Sequence, residues 1–200
     1  VAAARGVAVQ RSQTVARVGF VSGDTTARRK DSTFARPVEA GSPLYEGDTI
    51  TTRPGSFAIL IFKDRARVTL RGDTTFVIES LYYAEDEPEK DSSIFRLVRG
   101  GLRAVTGLMG KRSARRVRFR TAIATIGIRG TTFWGGSLDG EFEVALLDGK
   151  GVYVETRTGR VELTKVGQGT KIIDANKNPS KPVVWGAKKT NRAIATVSFD

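Results

Sequence analysis

Along most of this chain apolar and polar positions alternate over short distances, and no long segment repeats apolar residues at three-and-four spacing. From about Val15 to Ile173 the β-rich runs are punctuated by glycine, which predicts an all-β fold. The most apolar stretch is residues 121–133, Thr-Ala-Ile-Ala-Thr-Ile-Gly-Ile-Arg-Gly-Thr-Thr-Phe, with no carboxylate and one charge, Arg129. A β-branched run of this kind predicts a strand buried on both faces. Ile123, Ile126, Gly127, Ile128, Gly130, Thr131 and Phe133 form this expected structural spine. Gly130-Thr131 supplies a turn or bulge before Thr132-Phe133-Trp134 resumes.

Just upstream, Arg116, Arg118 and Arg120 fall on one face of a strand and Val117 and Phe119 on the other. At Ala122 the arginine face becomes Ala122, Ala124, Ile126 and Ile128. One strand is therefore expected to pass from surface to interior, or to bulge at residues 120–122. A buried unpaired arginine is costly, so the change to alanine marks where water stops.

Elsewhere, Pro54-Gly55 is a turn signal, and residues 57–63 and 66–71, separated by Asp64-Arg65, read as a tight antiparallel hairpin. In its second arm Ala66, Val68 and Leu70 face the core, while Arg65, Arg67, Thr69 and Arg71 face water. Residues 85–91 form an acidic loop that lacks the spacing of a calcium loop. Residues 142–147 read as a strand and Asp148-Gly149-Lys150-Gly151 as a turn. Beyond Ala175 the composition shifts to proline, asparagine and lysine, Trp185 stands alone, and residues 192–199 suggest one last strand. The expected division is a flexible arm over 1–13, one β domain over 14–175, and a linker with a C-terminal strand or tail over 176–200.

Composition narrows the chemistry. A hydrophobic fraction of 40% in 200 residues is enough for a core and argues against global disorder. There is no cysteine and no histidine, which excludes Ser-His-Asp and Cys-His nucleophile systems and Cys/His zinc sites. The net charge of +12 and a pI near 10.4 favour anionic partners. The longest apolar run, Phe57 to Phe62, is too short to cross a bilayer. Val1-Ala2-Ala3-Ala4-Arg5 suits the stub left around a signal-peptidase cut, which predicts a periplasmic or secreted protein.

An ordered set of short pieces resembles the FecR-domain family, named for a bacterial regulator of ferric-dicitrate transport. The pieces are Leu44, Glu46-Gly47-Asp48-Thr49-Ile50-Thr51-Thr52, Ser56-Phe57-Ala58 and Phe62-Lys63-Asp64, then Gly100-Gly101-Leu102-Arg103. Thr121-Ala122, Gly127-Ile128-Arg129-Gly130-Thr131 and Phe133 follow, with Val144, Asp148-Gly149, Val152, Val154, Val161, Leu163 and Gly167-Gln168 downstream. The resemblance implies an all-β domain, roll- or solenoid-like, outside the cytoplasmic membrane; a β-sandwich is the alternative. In the family's regulators the domain helps pass a signal from an outer-membrane receptor to a sigma factor. Those regulators also carry a cytoplasmic segment and a transmembrane helix, for which these residues show no pattern.

Two functions follow as expectations. The first is a non-catalytic envelope module that binds another protein as scaffold or signal relay, with residues 192–199 able to pair with a second copy. The second is capture of an anionic glycan or lipid headgroup by a sheet face bearing Arg65, Arg67, Arg71, Arg116, Arg118 and Arg120. Nucleic acid is disfavoured, because the aromatic residues are not interleaved with basic ones as a stacking platform requires. No enzyme activity, metal or cofactor is expected, since neither a nucleophile with its base nor paired carboxylates stand out. Arg129 reads as an ion-pair partner, and the glycines beside it as backbone-geometry residues.

Overall fold

The computed structural model describes residues 13–112 and 115–199; the expected N-terminal arm lies, but for Gln13, outside them. The first half runs β1 (Thr14–Ser22), β2 (Thr25–Arg28), β3 (Ala35–Pro37), β4 (Pro43–Tyr45), β5 (Thr49–Thr52), β6 (Phe57–Phe62), β7 (Arg67–Leu70) and β8 (Thr74–Tyr82). Next come β9 (Ser92–Arg99), β10 (Leu102–Val105), the short helix α1 (Leu108–Arg112), β11 (Val117–Arg120) and β12 (Thr125–Ser137). The chain closes with β13 (Phe142–Glu155), β14 (Arg160–Leu163), β15 (Gln168–Ile172), β16 (Val183–Val184) and helix α2 (Ala187–Ala195).

The all-β expectation holds: the strands make one hydrogen-bonded sheet that curls into a half-barrel. β12 and β13 are its spine. Along one edge β12 pairs first with β11 and then with β10; along the other it pairs with β13 over nearly its whole length. The β6–β7 hairpin forms as expected, with Arg65 at its tip in the left-handed region (φ 66°).

Alternation decides what each face of β12 does. Phe133 points into the main core and Trp134 to the opposite side. Five phenylalanines, Phe62, Phe76, Phe95, Phe119 and Phe133, join β6, β8, β9, β11 and β12 through ring contacts of 4.9 to 5.6 Å. Buried aromatic pairs contribute about 0.5–1.5 kcal/mol each beyond the area they bury. On the other side Trp134, Ala145, Trp185, Ala193 and Val197 make a second, smaller core.

Three expectations are corrected. Residues 121–133 are not one strand. Thr121 to Ala124 reverse the chain, because the Thr121 hydroxyl accepts the amides of Ile123 and Ala124 and donates to the Ala124 carbonyl. The arginine face of β11 therefore does not run on into Ala122 and Ala124; it folds back in antiparallel register beside β12. Of the spine residues, Ile126, Gly127, Ile128, Thr131 and Phe133 are buried, while Gly130 and Ile123 are half-buried.

Asp148-Gly149-Lys150-Gly151 is likewise no chain-reversing turn. β13 passes straight through it, with a register shift at Thr132/Phe133, and Gly130 and Gly149 take positive φ (51° and 97°) to admit the irregularity. Thr131 locks it: its hydroxyl accepts the Gly151 amide and lies 2.8 Å from the Gly151 carbonyl.

The last expected strand is a helix. Ala187 to Ala195 is rich in good helix formers; Ala193 is buried from the helix, and Val197, just past its C-cap Thr196, packs into the same small core. The Lys189 ammonium meets the buried Glu143 at 2.6 Å, Arg192 meets Asp139 at 2.8 Å, and Trp134 Nε1 donates to Thr196. Phe199 stacks on Phe20 at 4.8 Å. The tail thus packs as a helix on its own sheet.

Candidate functional site

The six arginines expected to share a face do not. β7 and β11 are separated by β10 and β12, so Arg65 and Arg67 lie apart from the β11 arginines. Arg71 turns inward and donates to the Ser137 carbonyl at 3.1 Å, and burial pulls its guanidinium pKa down. Arg116 is engaged by the carbonyls of Glu89 and Asp91. Arg120 faces Glu79 at 3.5 Å. Arg120 also borders a shallow hollow beside Thr121 and Glu155, whereas Arg118 opens onto a cleft shared with other cations.

That cleft is built from a cross-strand row, Arg118, Gly127, Tyr153 and Glu162, contributed by β11, β12, β13 and β14. Its volume is about 430 Å³, and its cations are Arg115, Arg118, Arg129, Lys150 and Arg160. Tyr153 forms the wall. Its ring occupies the space where a Gly127 side chain would begin, since a Cβ there would lie 1.8 Å from the ring. Arg160 stacks on the ring at 3.9 Å and is tied at 2.8 Å to Glu162, the only carboxylate lining the cleft among the described residues. A second hollow, about 680 Å³, adjoins the first and shares Arg115, Arg129 and Lys150 with it; Lys111 and Arg112 complete its charged lining.

Backbone chemistry places Arg129 and Lys150 together. Arg129 pairs with Gly151 across the β12–β13 ladder, and the bulge locked by Thr131 carries both cations to the same rim. Arg129, Lys150 and Arg115 are exposed and have no side-chain partner among the described residues, so Arg129 is not the ion-pair partner expected. Gly127 serves side-chain space, and only Gly130 serves backbone geometry. Like charges held this closely repel, and a bound anion would relieve the repulsion. The alternation of β13 and β14 could have shown Lys150 and Arg160 in the sequence, but the expected turn at 148–151 hid the first. Nothing local marks Tyr153 as the ring that fills Gly127.

Two buried carboxylates have structural work. Asp64 accepts the amides of Ala66 and Met109 and so holds α1 to the hairpin tip; burial raises its pKa despite those bonds. Asp91 accepts the Ala84 amide and faces Arg112 at 3.5 Å. Among the described residues no group of acidic side chains is arranged to hold a metal ion, and no helix is long and apolar enough to cross a membrane.

A family model described as FecR protein matches residues 48–151, a span running from β5 into the bulge of β13. Two crystal structures of a candidate anti-sigma factor from Parabacteroides distasonis share the fold. One gives a TM-score of 0.54 at 15% identity and the other 0.56 at 14%; each alignment covers 72% of this chain and 62% of the other. The chain thus spans somewhat under two thirds of the length of those structures. No curated protein matches the sequence with comparable significance.

Proposed function

Because the chain belongs to the FecR family, we propose that it is a non-catalytic module of the bacterial envelope, periplasmic or secreted, that works by contact with another protein as scaffold or part of a signal relay. The observation that carries this reading is the family match over residues 48–151. The likeness to a candidate anti-sigma factor supports it at the level of fold. The residue types agree, since a chain without histidine or cysteine lacks the usual bases and thiolates of nucleophilic catalysis. Deleting the chain in its host and profiling transcripts, with crosslinking of the intact protein in the envelope, tests the proposal. A relay component should shift a discrete set of transcripts and crosslink to one envelope protein. An unchanged transcriptome with no discrete crosslink would refute the relay.

A second reading, capture of an anionic envelope polymer, is favoured by the cluster of cations around Tyr153. It moves the expected anionic-partner face from the six arginines on and beside β7 and β11 to Arg115, Arg118, Arg129, Lys150 and Arg160. Both readings can hold for one molecule, because the cleft occupies only part of the surface.

A further inference from the structure

We propose that the two adjoining hollows form one site for a ligand carrying two or more closely spaced phosphate groups. The inference rests on the anionic-polymer reading and narrows it to a ligand chemistry. The first ground is charge density. Among the described residues five cations surround the inner hollow against one carboxylate, and that carboxylate is already committed to Arg160. A singly charged carboxylate ligand would leave most of that charge unmatched, whereas a phosphate brings about −1.5 to −2 charges and three acceptor oxygens.

The second ground is the sharing of residues. Arg115, Arg129 and Lys150 line both hollows, so an anionic group in each would be bridged by the same three cations. A ligand with one anionic group fills one hollow and leaves the other charged. Rigidity is the third ground. Arg160 is held between Tyr153 and Glu162 and Arg118 leans on the Arg115 carbonyl at 3.4 Å, while the locked bulge fixes the backbone from which Arg129 and Lys150 project. Guanidinium forks held in place before binding lose less freedom when they meet phosphate oxygens. The phosphates can belong to a soluble polyphosphate or to a diphosphorylated lipid headgroup, and the assay separates these sources.

Calorimetric titration of the intact chain with inorganic tripolyphosphate should show binding at least about ten-fold tighter than orthophosphate, and weakened by added salt. The double variant Arg129→Ala/Lys150→Ala should lose about ten-fold or more in affinity. Both side chains are exposed and without a partner among the described residues, so folding should be unaffected. Arg65→Ala/Arg67→Ala, which touches neither hollow, should bind as the native chain does. Phosphatidylcholine vesicles with diphosphorylated lipid A form the second arm: co-sedimentation lost in the Arg129/Lys150 variant assigns a lipid source, and tripolyphosphate binding alone a soluble one. If polygalacturonate, a carboxylate polymer, binds as tightly and depends equally on Arg129 and Lys150, the phosphate inference falls while the anionic-polymer reading stands. Absence of binding to every probe overturns both.

Discussion

Replacing Gly127 with alanine tests whether the cleft wall depends on a missing side chain. A Cβ at this position would lie 1.8 Å from Tyr153 Cε1 and 2.0 Å from Cζ, far inside contact distance. Gly127 has no positive φ, so the backbone accepts alanine, and in an empty strand the change should gain about 0.5–1 kcal/mol. With Tyr153 present, the ring must tip away, and Arg160 loses the face it stacks on at 3.9 Å. Forcing extra atoms into a packed site costs about 1–3 kcal/mol, and losing an exposed cation–π contact about 0.5–1 kcal/mol. The net expectation is a loss of about 1–3 kcal/mol. In a Tyr153→Ala background the space is open, so the same Gly127→Ala change should be neutral or slightly stabilising. Urea unfolding of the four proteins, read as midpoint shifts at constant slope, gives the coupling between the two positions. A coupling above about 1.5 kcal/mol is expected; two effects that add to within about 0.5 kcal/mol would refute the account of why residue 127 is glycine.

Trp185→Ala should cost about 2–4 kcal/mol, below the upper range for core tryptophan, because α2 can detach locally; hydrogen exchange should show α2 amides losing protection while β12 keeps its own. Protection retained in α2 would mean that Trp185 does not hold it. Phe119→Ala, in the middle of the phenylalanine series, should cost about 3–5 kcal/mol by denaturant unfolding, and a loss under about 1 kcal/mol would show that the series is not the main core. For Asp64 the sign runs against the usual carboxylate. Burial raises its folded pKa above the ordinary 3.8, so the folded state binds more protons than the unfolded one in the interval above 3.8. Its contribution to stability must therefore fall as pH rises through that interval and level off above the folded pKa. The stability of the native chain minus that of Asp64→Asn should decline across this window; a flat or rising difference would refute the burial argument.

The sequence alone determined the all-β class, the β6–β7 hairpin and the family, because period-two alternation, glycine-bearing turns and short ordered motifs are local properties. It also placed Arg118 and Arg120 outward and Phe119 inward on β11, since neighbouring residues of a strand face opposite ways. Where β11 ends and β12 begins was not legible. The reversal is closed by the Thr121 amide on the Ala124 carbonyl and capped by the Thr121 hydroxyl, and an apolar hairpin turn looks like an apolar strand. The C-terminal helix is not legible for a related reason: Ala193 is its one buried residue, with Val197 following just past its end, too brief a period to recognise without the tryptophan pair that receives it. Only the tertiary structure decided the cleft. Arg118, Arg129, Lys150 and Arg160 come from four separate segments and meet because β11, β12, β13 and β14 pair in one particular register. A one-residue slip at any of those pairings would send the arginines and lysine to other faces. Charge is written in the chain, whereas charge density at a point is written in strand register, through backbone hydrogen bonds that no side-chain pattern announces.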